Sequence, residues 1–297
     1  MSETDLTADS VPVKLPKLER QFFEIRAIKS LLLTVFTWFA AVLASIPLFS
    51  VIYKLLLHGG ARLDWEALTA LPPAGFEMGG GFGNAIVGTL VMVGIGAAVS
   101  VPIGILAALH LGILAPQSKV AMIARFLSKV LTGFPSILAG VFAYATVVLW
   151  MGSYSAWAGG IALAVLMLPT VTLAAEEAMR QVPQRMKDAA FGMGCTRSQV
   201  IWKVVLPTSL PGVLTGVILA VAGAAGESAP LLFTALFSNY YISELAEPTA
   251  SLSILIYNFS GMPFDNQLEL AWAASLVLVL IVLVFNIIAR VMGRPRF

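Results

Sequence analysis

Long apolar runs separated by short polar stretches dominate this chain. A helix needs about 20 apolar residues to cross the roughly 30 Å hydrocarbon core of a bilayer. Six runs reach that length and are predicted to be membrane-spanning helices: 31–57, 84–114, 130–151, 156–175, 210–236 and 270–291. Because a helix satisfies its backbone hydrogen bonds within its own segment, the pattern predicts an all-α integral membrane protein.

The basic residues predict the orientation of these helices. Of the 18 lysines and arginines, 16 lie before the first run, between the second and third, between the fourth and fifth, or at the C-terminus. Loops rich in Lys and Arg stay on the cytoplasmic side of the membrane. The opposite loops, 58–83 and 237–269, contain Arg62 as their only lysine or arginine. Both termini are therefore predicted to be cytoplasmic.

Composition supports the membrane assignment and limits the function classes. The chain is 59% hydrophobic and 11% charged, against about 25% charged residues in ordinary soluble domains. Its net charge of +2 is explained by topology, since the cations are spread over separate segments and form no nucleic-acid-binding patch. We expect a cytoplasmic and partly disordered N-terminal segment, 1–30, followed by one six-helix transmembrane domain, 31–297, with a polar cytoplasmic segment at 176–209.

The polar cytoplasmic segment has its own helix signals. Pro183 suits the start of a helix, and Gly194 suits the left-handed residue that ends one. Thr196 and Gln199 form a capping-box pattern that opens a second helix, predicted to end at Pro207. The segment is therefore predicted to be a helix, a tight turn and another helix. Glu176 and Arg180 are spaced as a helix-surface ion pair.

Small and charged residues recur within this segment in the pattern D-A-A-x3-G-x9-V-x-L-P, starting at Asp188. Small side chains leave a low surface into which a partner could pack, and Arg185, Lys187 and Asp188 would surround it with charge. From the residues alone, two interpretations stay open. The segment is either an ordinary loop packed against its own helices or a docking site for another protein.

The spacing of this pattern resembles the EAA signature of importer-type ABC transporter permeases, E-A-A-x3-G-x9-I-x-L-P. Asp188 replaces the glutamate and Val204 replaces the isoleucine. The resemblance implies an importer-type ABC permease fold, in which this segment is a coupling helix in a groove of a cytoplasmic ATPase subunit. The residues that it implies for ATPase coupling are Arg185, Lys187, Asp188, Ala189, Ala190, Gly194, Val204, Leu206 and Pro207.

Further runs resemble one family of such permeases, the PstA family of phosphate ABC transporter subunits. The most specific run is G-E-S-A-P-L-L-F-T-A, residues 226–235; 81–90, 102–108, 134–140, 262–264, 270–273 and 286–291 are also similar. The resemblance implies a non-catalytic permease for inorganic phosphate in the bacterial cytoplasmic (inner) membrane. Its implied partners are a second permease (PstC-like), an ATPase dimer (PstB-like) and an extracytoplasmic phosphate-binding protein (PstS-like).

Two positions depart from that family. Family members often carry arginines where this chain has Leu173 and Gly223, and such cations would suit a passing anion. Another oxyanion, such as molybdate, sulfate or phosphonate, therefore remains an alternative cargo. A membrane scaffold that signals the state of a transporter is the alternative of another class.

Glu227, followed by Ser228, lies deep in the fifth apolar run. An intramembrane carboxylate is expensive and faces the interior of the bundle. Gly226 and Pro230 predict a broken helix there, which is tolerated only where protein or a cavity covers the backbone. Glu227 and Ser228 are therefore candidates for the translocation path or gate. The alternative for Glu227 is a buried hydrogen-bonding group that joins two helices.

No pattern in the sequence indicates catalysis or a bound cofactor. His58 and His110 have no ligating neighbours at metal-binding spacing, so no metal site is expected. The chain contains no Walker motif and no constellation of nucleophile and base. We therefore expect that ATP and Mg²⁺ bind to the partner ATPase and that this chain is not an enzyme.

Overall fold

The structure, a computed structural model, describes residues 25–293, and every regular element in that range is helical. Residues 1–24 of the predicted N-terminal segment and the C-terminal residues from 294 onward lie outside the described residues, and residues 25–30 of that segment are helical. The chain divides into two units, Met1–Tyr53 and Lys54–Phe297. The first predicted span thus lies mostly within the N-terminal unit.

The N-terminal unit contains one long helix, α1 (Ile25–Lys54), with Pro47 inside it. Apolar side chains point outward around its whole circumference and are more than half exposed, for example Leu32, Phe36, Trp38 and Phe39. A helix that is apolar on every side is suited to lipid or to other helices.

The second unit begins with a π-helical turn (Leu55–Gly59) and contains the remaining helices. In chain order these are α2 (Trp65–Thr69), α3 (Gly83–Leu109), α4 (Lys119–Thr132), α5 (Ser136–Ala143), α6 (Leu149–Met151), α7 (Ala156–Arg180), α8 (Gln184–Gly192), α9 (Arg197–Val200), α10 (Leu206–Ala225), α11 (Ala229–Leu232), α12 (Leu252–Ser260) and α13 (Asp265–Met292). Further π turns at His110–Leu114, Tyr144–Val148 and Ile201–Val205 follow α3, α5 and α9 without a break in the helix.

Five continuous helices are long and apolar enough to span a membrane, and the bent pair formed by Lys119–Thr132 and Ser136–Met151 makes a sixth. The all-helical multi-span fold class is thus confirmed, with six spans when the bent pair is counted as one. The third span predicted at 130–151 is not a single straight helix, because the chain bends at residues 133–135. The two parts of that pair meet at 107°. Gly133 ends the first part, and Pro135, which has no N–H and disfavours helical backbone at Phe134, starts the second.

The fifth span differs from its predicted limits at both ends. The helix runs from Arg197 to Ala225, so the expected helix end at Pro207 is wrong. A π turn at Ile201–Val205 ends two residues before Pro207, and its wider backbone accommodates the ring and the missing N–H of the proline. At the other end the helix stops at Gly226 and a short helix starts at Ala229, which confirms the predicted break.

The most enclosed helix of the second unit is α7. In its apolar window 61% of the residues are buried, against 28% for α3. Small residues let these two helices approach closely. A Cβ on Gly160 would lie 2.6 Å from the Cβ of Ile95, and one on Gly104 would lie 3.1 Å from that of Val171. The small residues of α3 and α7 therefore lie in close contact, and α7 is the most buried of the long helices.

Candidate functional site

The polar segment between α7 and α10 folds as the sequence predicts. Pro183 is the N-cap of α8, and Gly194 adopts the left-handed conformation with φ +83°. At the start of α9, the backbone N–H of Thr196 donates to Oε1 of Gln199 at 2.8 Å, and the N–H of Gln199 donates back to Oγ1 of Thr196. This reciprocal capping box satisfies two N–H groups that a helix start leaves without partners.

One side of α8 is open to solvent. Arg185, Asp188 and Ala189 are exposed, as is Gly194 after the helix, and Lys187 is half-buried. Nε2 of Gln184 donates a 2.9 Å hydrogen bond to Oδ1 of Asp188 and thereby orients that carboxylate. These residues form a charged, low surface of the kind that can dock against another protein.

Other residues of the signature point inward, which the sequence did not reveal. Ala190 is only 2% exposed and packs in an apolar cluster with Met179, Val200 and Val205, to which Val204 and Leu206 add partly buried contacts. The expectation that Ala190 belongs to the docking surface is therefore corrected. Its side chain faces the apolar cluster and holds α8 against the rest of the unit. Pro207 is exposed.

Exposed apolar residues beside the turn complete the open surface and were missed from the sequence. Phe191 is 47% exposed and Met193 is 79% exposed. Large apolar side chains this exposed on a short polar segment are typical of contact surfaces.

A buried ion pair connects α4 to α7. Nε of Arg125 donates to Oε1 of Glu176 at 2.6 Å, and Nη1 of Arg180 lies 3.5 Å from the same oxygen. The side chain of Glu176 is 5% exposed. The predicted pair of Glu176 and Arg180 is confirmed, and Arg125, 51 residues distant in sequence, is the stronger partner that the sequence did not show.

A cavity of about 230 Å³ lies where the α4–α5 bend meets α7 and α10. Its polar lining consists of Thr132, Ser136, Thr170 and Glu227, and Gly223 is also part of the wall. None of the residues that line it is a lysine or an arginine. The described residues that line this cavity therefore supply hydroxyl groups and one carboxylate, and no positive charge.

Glu227 is half-buried at this cavity. Its backbone carbonyl accepts a 3.0 Å hydrogen bond from Oγ of Ser253, and its carboxylate makes no hydrogen bond or ion pair with any residue in the range 28–293. Ser228 lies next to it outside the lining, and its carbonyl accepts from the N–H groups of Leu231 and Leu232 at the start of α11. Within the described part of the chain, no three His, Cys, Asp or Glu residues are grouped as a metal site.

An apolar helical bundle with a cavity between its helices and an exposed helix between two spans is typical of membrane transport proteins. The chain belongs to the family described as binding-protein-dependent transport system inner membrane component, whose model matches residues 100–295. Membership makes it a multi-pass inner-membrane permease of the ABC importer class, and implies an ATPase and a binding protein as partners.

Relatives with assigned functions cover nearly the whole chain. The phosphate transport system permease protein PstA of Pasteurella multocida is 35% identical over 269 residues, covering 91% of this chain and 96% of that relative. A probable phosphate transport system permease protein PstA of Methanocaldococcus jannaschii is also 35% identical, covering 87% of this chain and 92% of that relative.

Solved structures agree in fold at lower identity. A bacterial alginate ABC transporter in complex with a periplasmic protein contains a chain similar over 93% of this one and 98% of its own length, with a TM-score of 0.61 at 18% identity. A chain of the MetNI methionine ABC transporter in an inward-facing conformation is similar over 71% of this chain and 94% of its own length, with a TM-score of 0.55 at 20% identity. These likenesses support the importer-type permease fold.

Proposed function

We propose that this chain is a permease subunit of an ABC importer for inorganic phosphate. The observation that carries the proposal is the 35% identity to phosphate permeases over about nine tenths of the chain. Its partners would be a second permease (PstC-like), two ATPase subunits (PstB-like) and an extracytoplasmic phosphate-binding protein (PstS-like). ATP and Mg²⁺ bind to the ATPase subunits, this chain binds no cofactor, and both of its termini are cytoplasmic.

The exposed side of α8 is the surface on which the ATPase would dock. Arg185, Asp188 and Ala189 are open to solvent, and the buried Ala190 fixes the helix to its own transmembrane unit. When ATP closes the ATPase dimer, a helix held in this way moves with the ATPase and carries α7 and α10 with it. Rigid-body movement of packed helices is a common means of opening a site first to one side and then to the other.

Glu227 is proposed as a residue of the translocation path that pairs with a cation of the second permease. Its carboxylate faces a cavity and has no partner among the described residues, although an unpaired carboxylate within a membrane is costly. A bare carboxylate would also repel phosphate. With Gly223 and Leu173 in place of arginines, the positive charge that meets the anion would come from the partner permease. Glu227→Gln is therefore expected to reduce uptake, and unchanged uptake and assembly would contradict this role.

The function is tested by uptake of radiolabelled phosphate at micromolar concentration in cells with the complete transporter, with and without this chain. Uptake that requires the chain and is blocked by arsenate alone is the expected result. Inhibition by sulfate or molybdate would identify another oxyanion as the cargo. Uptake that continues without the chain, while phosphate-dependent regulation fails, would instead indicate the signalling scaffold.

A further inference from the structure

Two arginines donate hydrogen bonds to backbone carbonyls at the cytoplasm-facing end of the second span. The π turn that extends α3 ends at Leu114, and helix ends leave carbonyl oxygens without intrahelical partners. We call residues 111–116 the carbonyl turn. Nη2 of Arg197 donates to the carbonyls of Ile113, at 3.1 Å, and of Leu114.

Arg125 reaches the same turn from another helix. Its Nη2 donates to the carbonyl of Leu111 at 2.5 Å, and its Nη1 donates to that of Pro116 at 3.0 Å. Its Nε is occupied by Glu176. A guanidinium group is planar and holds its five N–H donors in fixed directions, so contacts to three separate acceptors fix its position.

These two arginines connect the carbonyl turn to two different segments, the α8–α9 segment and helix α4. Arg197 is the first residue of α9 and follows Gly194 by three positions, so it is joined to α8 by a very short connection. Arg125 lies in the middle of α4, and Leu131 and Thr132 at the end of the same helix line the cavity. The carbonyl turn therefore contacts both the ATPase-facing segment and the helix that forms one wall of the cavity.

We propose that Arg197 and Arg125 are positioning residues that transmit movement of α8 to the α4 wall of the cavity, with the carbonyl turn as their shared anchor. The inference rests on the proposed import function. Movement of α8 displaces Arg197 and the turn to which it is bonded. The turn moves Arg125, and α4 shifts its C-terminal residues at the cavity.

The test uses the complete transporter, with its second permease, ATPase and binding protein, in proteoliposomes. Arg197→Gln and Arg125→Gln remove charge-assisted hydrogen bonds to the turn. Each is expected to raise the ATP hydrolysed per phosphate imported at least about tenfold. The matched controls are Lys203→Gln and Lys129→Gln, which remove one exposed charge from the same two segments, and they should leave the ratio within about twofold. Arg197→Lys, which keeps a charged donor, should restore part of the coupling.

A second readout does not depend on the cargo. In a Cys195→Ser background, Thr132→Cys places one thiol at the cavity wall, and its rate of maleimide labelling is measured with and without a non-hydrolysable ATP analogue. The rate is expected to depend on nucleotide in the parent and in Lys203→Gln, and to lose that dependence in Arg197→Gln.

The results separate failure of the inference from failure of the proposed function. A parent transporter that imports no phosphate but shows nucleotide-dependent labelling, lost in Arg197→Gln, would refute the cargo and support the route through the turn. Coupled import in the arginine variants, or a fall in uptake and ATP hydrolysis by the same factor, would overturn the inference. Labelling that does not respond to nucleotide in the parent would overturn it as well.

Discussion

Gly140 is the position where the packing of α5 is most directly open to test. A Cβ on this glycine would lie 2.6 Å from Cα, 2.8 Å from O and 3.1 Å from C of Pro230. All three are backbone atoms at the start of α11, so no side-chain rotation relieves the contact. Gly140→Ala therefore forces α5 away from the segment that follows Glu227.

The size of the effect follows from these distances. Carbon atoms pack at about 3.5–4.0 Å, so α5 and α11 must separate by roughly 1 Å. Overpacking of this kind costs about 1–3 kcal/mol, and the upper half of that range applies because backbone has to move. For a chain of this length each kcal/mol lowers the melting temperature by roughly 1.5–2 °C, which predicts a fall of about 3–6 °C.

Thermal unfolding of the assembled transporter in detergent measures this fall, and uptake per assembled complex measures its consequence. Uptake should also decrease, because Ser136 on α5 and Glu227 line the same cavity. Gly94→Ala is the matched control, since a Cβ there meets nothing within 4 Å and alanine favours helix by about 0.5–1 kcal/mol. A melting temperature for Gly140→Ala equal to that of Gly94→Ala would refute the reasoning.

Four further substitutions test the cytoplasmic segment and the cavity. Ala189→Trp enlarges an exposed residue and should leave the melting temperature unchanged while abolishing co-purification of the ATPase. Ala190→Trp enlarges a buried residue and should destabilise the fold. The opposite pattern would show that the exposed and buried sides of α8 are assigned the wrong way round. Thr196→Ala removes the capping box and should destabilise the start of α9 by about 1 kcal/mol, seen as faster amide exchange at residues 197–200; unchanged exchange would contradict the role of the cap. Gly223→Arg should fold normally, since a Cβ there meets nothing within 4 Å. It should lower the KM for phosphate, because it brings a cation to the cavity that contains Glu227. An unchanged KM would argue that the anion does not contact this cavity.

Local sequence signals were sufficient to predict most helix ends and caps of the cytoplasmic segment. Proline before a helix, glycine after it and a Thr–Gln capping pair act within a few residues, so Pro183, Gly194 and Thr196 could be assigned from sequence. The break at Gly226 was predictable for the same reason. The bend at Pro135 was not recognised, because an apolar run continues through it and hydropathy records composition rather than direction.

The features that could not be predicted from sequence, the partner of Glu176 and the burial of Ala190, depend on tertiary contacts. Arg125 lies 51 residues from Glu176, and no local pattern indicates which of the cytoplasmic cations a carboxylate will meet. Burial of Ala190 depends in the same way on Val200 and Val205, which approach it only because the chain turns at Gly194. Adjacent alanines look alike in sequence, and only the direction of the helix separates them.

The structure also gives a physical reason for the length of the signature. A docking surface alone would need only the residues of α8, yet the pattern extends from Asp188 to Pro207. Its first residues face outward, whereas Ala190, Val204 and Leu206 join one apolar cluster with α7. A helix can pass the movement of an ATPase to a membrane bundle only if it is firmly attached to that bundle, because a loosely held helix would move alone. In the proposed coupling role, the signature would combine a contact surface with its attachment. Mild substitutions at its inward positions should then uncouple transport without weakening ATPase binding, whereas a bulky one such as Ala190→Trp destabilises the fold itself.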